Sequence, residues 1–264
     1  MPRKIEAGPL PAGQLEVNPP FACKGSGACA SNGLVERSAK HFTNRDFLAP
    51  NVLEIDVDLE LLAPLSGVCG LLQRSELPKG RVDIGNGLNL GIKHPDWKSD
   101  IAWISQADRA GYDYFAAIFR RLGIADAVAD RIEYDHQIMM YSGFYVTRRS
   151  CNSPDLHVDW IGGNNDAFTF LTPLSANCGE LGLTYRTLRN ELAHYDYTLG
   201  KGLIFGDHFA HSTAEGQAGE NTVLLSFTFG TDRMDNWPNI SKSAAKQGTF
   251  HRQPDGQFIT RTAS

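Results

Sequence analysis

The sequence predicts a mainly β chain with helical additions, a barrel or sandwich of short strands flanked by N-terminal helices. Two observations carry this. After Asp135, runs of β-forming residues recur between Gly, Asn, Pro and Asp clusters, the texture of strands joined by turns. Before it, Phe115, Ile118, Phe119 and Leu122 recur at the spacing of one helix face. The 264 residues suit one domain with a single core.

Residues 1–45 are rich in Pro, Gly, Ala and Ser and read as an irregular arm. Lys24-Gly25-Ser26-Gly27 lacks the order and the preceding strand of a phosphate loop, and reads as plain loop. Residues 46–135 are expected to supply strand and helical support. In 51–62, Val52, Leu53, Ile55, Val57, Leu59 and Leu61 largely alternate with Glu54, Asp56, Asp58 and Glu60, as in a half-buried strand ended by Pro64. Residues 74–91 carry turn residues throughout and read as loop. Ser105 and Asp108 form an S-x-x-D capping pattern for a helix that Gly123 closes. A shorter helix is expected over 125–132.

Strands are expected at 138–147, 168–171, 181–185, 195–198, 203–205 and 222–229, within a core spanning 136–232. Residues 233–264 are polar with few apolar anchors and are expected to form an extended tail or lid.

The net charge of −5 is mild and spread along the chain. It gives no electrostatic reason to expect nucleic acid or an anionic membrane as partner. No apolar run is long enough to span a bilayer. Met1-Pro2-Arg3-Lys4 is not followed by an apolar stretch, so the expectation is a cytoplasmic protein without a secretory signal. The five cysteines, Cys23, Cys29, Cys69, Cys151 and Cys178, include no C-x-x-C and read as free thiols of a reducing compartment.

Chemistry concentrates in two stretches, Leu156-His157-Val158-Asp159-Trp160 and Gly206-Asp207-His208-Phe209-Ala210-His211-Ser212-Thr213. Residues two apart in an extended segment point the same way, so His157 and Asp159 share a face. With a distant second histidine they offer two imidazoles and one carboxylate, the ligand set of a mononuclear non-haem iron site. Such a set leaves coordination positions open, which implies catalysis rather than a structural metal. His41, His94, His136, His194 and His251 have no partner spacing and read as surface or structural residues.

Residues 144–149, His157-Val158-Asp159-Trp160, residues 168–174, Gly179-Glu180-Leu181, Leu203-Ile204-Phe205 and residues 222–229 follow one another in an order that resembles the Fe(II)- and 2-oxoglutarate-dependent oxygenases. The prolyl-hydroxylase and phytanoyl-hydroxylase branches are the most similar, over residues 138–230. The resemblance implies a double-stranded β-helix (jelly roll, cupin-like) core. It also implies His157, Asp159 and His211 as catalytic metal ligands, with Fe(II), 2-oxoglutarate and O2 acting on a C–H bond of a small-molecule substrate. His208 competes with His211. The spacing of His211 from Phe205 fits the family, which favours His211. The carboxylate of Asp159, where Ala or Gly would suggest a halogenase, implies hydroxylation, desaturation or a related oxidation.

The chain departs from the family at the cation that holds the far carboxylate of 2-oxoglutarate. Counting from His211 lands on Thr222, and no basic residue lies in 223–229. Thr222 can hydrogen-bond a carboxylate but cannot neutralise it, and burying an unpaired carboxylate is costly. Arg148, Arg149, Arg186 and Arg233 are the candidate cations, since a guanidinium fork matches a carboxylate, with Arg186 and Arg148 preferred. The alternatives are a ligand-binding barrel without chemistry and a cupin-like metalloenzyme without an oxo-acid cosubstrate.

Overall fold

The strands of the second half build two sheets, and the central ones, such as 167–173, are buried along their length. The computed structural model describes residues 31–32, 35–38, 41–74, 76–95, 100–248 and 250–260. Lys24-Gly25-Ser26-Gly27, Cys23, Cys29 and most of the expected N-terminal arm lie outside the described residues. In chain order the strands are β1 (Ser31–Asn32), β2 (Val35–Ser38), β3 (His41–Asn44), β4 (Ala49–Pro50), β5 (Val52–Asp56), β6 (Gly80–Asp83), β7 (Asn89–Lys93), β8 (Ile101–Ser105) and β9 (Met139–Cys151). They continue with β10 (Ala167–Pro173), β11 (Leu183–Arg186), β12 (Leu192–Tyr195), β13 (Lys201–Phe205), β14 (His211–Thr213), β15 (Gly216–Gly230), β16 (Phe250–Arg252) and β17 (Phe258–Thr260). The α-helices are α1 (Leu59–Leu62), α2 (Ser66–Arg74), α3 (Arg109–Arg121) and α4 (Trp237–Gln247).

The large sheet has nine strands in the order β1-β5-β13-β10-β15-β9-β8-β7-β6, and the small sheet runs β12-β11-β14. An isolated antiparallel bridge between His157 and His211 adds the His157 segment beside β14. The chain therefore passes between the sheets: β9 large, His157 small, β10 large, β11 and β12 small, β13 large, β14 small, β15 large. This is the jelly-roll layout of a double-stranded β-helix.

One face of the large sheet is helix-covered. Tyr145, Phe168, Phe170, Leu225, Phe227 and Phe229 share a buried cluster with Tyr112, Phe115, Ile118 and Phe119 of α3. Phe119 meets Phe229 at 5.3 Å between ring centroids. Gly143 permits this approach, because a Cβ there would stand 2.5 Å from Phe115 Cβ. The opposite face, with parity set by the pleat, carries Phe144, Val146, Arg148, Thr169, Leu171, Leu224 and Ser226. Register places Ser226 across from Phe144 and Leu171, Leu224 across from Val146, and Thr222 across from Arg148.

Several expected elements differ. The strand over 51–62 stops at Asp56, because the Asp58 side chain accepts from the Glu60 N–H and caps α1. Pro64 then sits in a 3₁₀ turn, Ala63–Leu65, and α2 follows unforeseen. The stretch read as loop over 74–91 contains β6 and most of β7, paired across a turn where Gly85, Asn86 and Gly87 have positive φ. Ser105 is the last residue of β8, and Asp108 is itself the cap of α3, accepting from Gly111 N–H at 3.0 Å. The helix expected over 125–132 is a single 3₁₀ turn, Asp126–Val128, although Val128 and Ile132 are buried. The strand expected over 195–198 is β12, displaced toward the N-terminus.

Strands are not confined to the second half, nor helices to the first. β1, β5, β6, β7 and β8 all join the large sheet, and α4 lies near the C-terminus. Residues 233–260 are not an extended tail: Trp237, Ile240 and Ala244 of α4 pack on Met139, Tyr141 and Trp160, and β16 pairs with β17. Cys69, Cys151 and Cys178 are free and buried, and burial pushes the Cys69 thiol up to about 11. No helix among the described residues is long and apolar enough to cross a membrane.

Candidate metal centre

His157 and His211 are joined through the backbone before any ion is considered. The His157 N–H donates to the His211 carbonyl at 3.0 Å, and the His211 N–H donates back at 2.9 Å. Their rings lie 4.8 Å apart between centroids. Phe205 at 4.4 Å and Phe209, stacked at 5.5 Å, hold the His211 ring. Asp159 Oδ1 stands 3.7 Å from His157 Nε2, and one ligand atom from each of His157, Asp159 and His211 lies within 4.8 Å of the others. Neighbouring ligands about 2.1 Å from one ion sit about 3 Å apart, so small side-chain movements close the set. The side chain of His157 is 43% exposed and that of Asp159 15%, whereas His211 is buried.

The hydrogen bonds around the three groups suit metal binding. His157 Nδ1 faces the Asp155 carbonyl at 2.8 Å, and His211 Nδ1 faces the Phe209 carbonyl at 3.1 Å. A carbonyl only accepts, so each Nδ1 carries a proton, and Nε2 is the atom that a neutral ring would offer to a metal. Asp159 is oriented from the sheet: Thr169 Oγ1 donates to Oδ2 at 2.8 Å, and Trp160 Nε1 donates to Thr169 Oγ1 at 3.1 Å. One carboxylate oxygen is thereby fixed, and Oδ1 is left toward His157. The donor set and its tautomers fit a divalent transition metal.

The three groups line a cavity of about 450 Å³ walled by Trp103, Phe144, Val146, Leu171 and Leu224. Arg148 also lines it, with its side chain 5% exposed. Its Nε and Nη2 donate to Asp100 Oδ2 at 2.9 and 2.7 Å, and Nε also reaches the Ser150 carbonyl at 2.8 Å. Tyr197 lines the cavity too. Burial, with the charges of Cys178, Tyr195 and Asp159, holds its phenol well above the usual range, so it is a neutral hydroxyl.

The remaining sequence candidates lie elsewhere. Thr222 Oγ1 donates to the Arg148 carbonyl at 2.9 Å, and Thr222 lines a pocket of about 20 Å³ that shares Arg148, Tyr197 and Leu224 with the main cavity. Arg186 Nη1 donates to Asn190 Oδ1 at 2.9 Å, and Arg186 is not among the cavity-lining residues. Arg149 lines a separate cavity, and Arg233 pairs with Glu133 and Asp235. His208 is exposed with φ of 68° and stands outside the cluster. Sequence reasoning missed Thr169. Its one signal is a hydroxyl residue at the inward parity of the apolar run Phe168-Thr169-Phe170.

No protein-family model matches the chain, and no curated protein sequence matches it. Solved structures do. HygX from Streptomyces hygroscopicus, with nickel and 2-oxoglutarate bound, is 13% identical, covering 71% of this chain and 87% of that one at a TM-score of 0.45. An oxidoreductase of the 2OG-Fe(II) oxygenase family from Burkholderia pseudomallei is 13% identical over 67% and 84%, at 0.47. EctD from S. alaskensis, in its apoform, is 12% identical over 69% and 73%, at 0.50. The EctD match establishes a shared fold, and with the strand order above it makes this chain a double-stranded β-helix protein.

Proposed function

We propose that the protein is a non-haem Fe(II) oxygenase, dependent on 2-oxoglutarate, that oxidises a C–H bond of a small molecule by hydroxylation or desaturation. The observation that carries this is the convergence of His157, Asp159 and His211 at the wall of a largely apolar cavity. His157, Asp159 and His211 would hold iron(II), which with a 2-oxo acid and O2 would supply the redox chemistry that an unactivated C–H bond requires.

The chain's own groups divide the remaining work. Thr169 and Trp160 hold the Asp159 carboxylate in place. The Asp155 and Phe209 carbonyls fix the histidine tautomers. Arg148, the buried one of the two cations that line the cavity, serves the far carboxylate of the cosubstrate. Asp100 takes Nε and one N–H of Nη2, which leaves Nη1 and the second Nη2 N–H as donors for the ligand. Trp103, Phe144 and Leu224 exclude water and lower the local dielectric, which strengthens that contact.

Iron-loaded protein is expected to convert 2-oxoglutarate to succinate in an O2-dependent reaction, with turnover lost in His157→Ala and His211→Ala. Protein that binds one iron yet consumes no 2-oxo acid across a broad panel of small molecules would sink this reading.

A further inference from the structure

Beside the metal ligands, the cavity contains polar groups that the fold leaves unanswered. The Ser226 hydroxyl is fully buried, lines the cavity, and has no hydrogen-bond partner among the described residues. The Gln247 side-chain carbonyl is likewise withdrawn from solvent, without a partner, and Gln247 lines the same cavity. Unpaired buried polar atoms are rare and costly, and each calls for an explanation. Two charges line the cavity as well, Lys246 and Asp155. Neither forms an ion pair among the described residues, whereas Arg148 is already matched by Asp100.

The end of α4 is seated on the sheet. A Cβ at Gly248 would lie 3.4 Å from Ser142 Cβ, and Ser142 is the inward residue two before Phe144, which pairs with Ser226. Lys246 and Gln247 are thus held over the Phe144–Ser226 row by a packed helix.

We propose that this cavity selects a zwitterionic, amino-acid-like small molecule. Its carboxylate meets Lys246, its ammonium group meets Asp155 and the Gln247 carbonyl, Ser226 hydrogen-bonds it from the sheet, and its apolar body lies on Trp103 and Phe144. Lys246 and Asp155 are exposed at the cavity's edge, and opposite charges there favour a ligand that carries both, because a singly charged ligand pairs with only one of them while the buried Ser226 and Gln247 groups call for polar partners. The proposal rests on reading the cavity as the substrate pocket of the oxygenase proposed above.

The test is calorimetric binding of L-phenylalanine, 3-phenylpropionate and phenethylamine, probes that share a ring and differ in charge. Full-length protein is titrated both metal-free and zinc-loaded. Phenylalanine is expected to bind roughly threefold to tenfold more tightly than either singly charged probe. Lys246→Met is expected to weaken phenylalanine and 3-phenylpropionate and to spare phenethylamine. Asp155→Asn and Gln247→Leu are expected to weaken the two amines and to spare 3-phenylpropionate. A singly charged probe that matches phenylalanine, variants that move all three probes alike, or no binding by any probe would each overturn the proposal. The ranking is read without iron or turnover, so it can stand when succinate formation fails and fall when succinate formation succeeds.

Discussion

Asp159, in the loop before β10, is held by Thr169 of that strand. Thr169 Oγ1 donates to one carboxylate oxygen and accepts from Trp160 Nε1, so a single hydroxyl couples the ligand to the buried indole beside it. Thr169→Val keeps the shape and removes both bonds. Metal affinity is expected to fall about 10- to 100-fold, read by competitive metal titration, with the circular dichroism spectrum unchanged. Arg148→Met is expected to raise the apparent KM for 2-oxoglutarate about 10- to 100-fold, the worth of charge-assisted hydrogen bonds; an unchanged KM would move the anchor elsewhere. The His-x-Asp pair and His211 could be read from residue type and parity alone. Thr169 could not, because its role depends on how β10 lies against the His157 loop. Nor could the sequence choose between Arg148 and Arg186: both follow a strand pattern, and only the sheet shows which side chain enters the cavity.

Elements were legible where period and punctuation agreed. The apolar stripe of α3 and the core strands β9, β10, β13 and β15 are of this kind. They failed where one residue could serve two patterns. Leu59 and Leu61 continue an alternation that Asp58 converts to helix, and the apolar face of α4 is masked by interleaved Asn239, Ser241 and Lys242. A carboxylate also controls the entry to β9. Asp232 accepts from the backbone N–H groups of Asp135, His136 and Gln137 at 2.8, 2.8 and 2.9 Å. Partial burial alone would raise its pKa, but these bonds outweigh that and hold it below the ordinary carboxylate range. The stabilisation is therefore complete above the unfolded value of about 3.9 and is lost as pH falls through the lower folded value. Asp232→Asn is expected to flatten the acid limb of stability in urea titrations at falling pH. An acid limb as steep as that of the parent protein would refute the assignment.

At the scale of the whole molecule, the chain's passage between sheets was implied by motif order, while the width of the large sheet was not. Strands β6 to β8 extend that sheet beyond the jelly roll, and their short runs carry no period that distinguishes them from loop. The His157–His211 bridge has a consequence for stability as well as for chemistry. The two residues are 54 positions apart (from 157 to 211), and an ion shared between them acts as a removable cross-link on a long chain loop. Like any ligand bound only by the native state, it stabilises by mass action, and pinning a loop of this length is entropically worthwhile. Chelation is expected to lower the Tm in scanning calorimetry by several degrees, with restoration on adding back metal and no such response in His211→Ala. The metal would thus serve as a fastener that the cell can withhold, tying the lifetime of the folded protein to the supply of its ion.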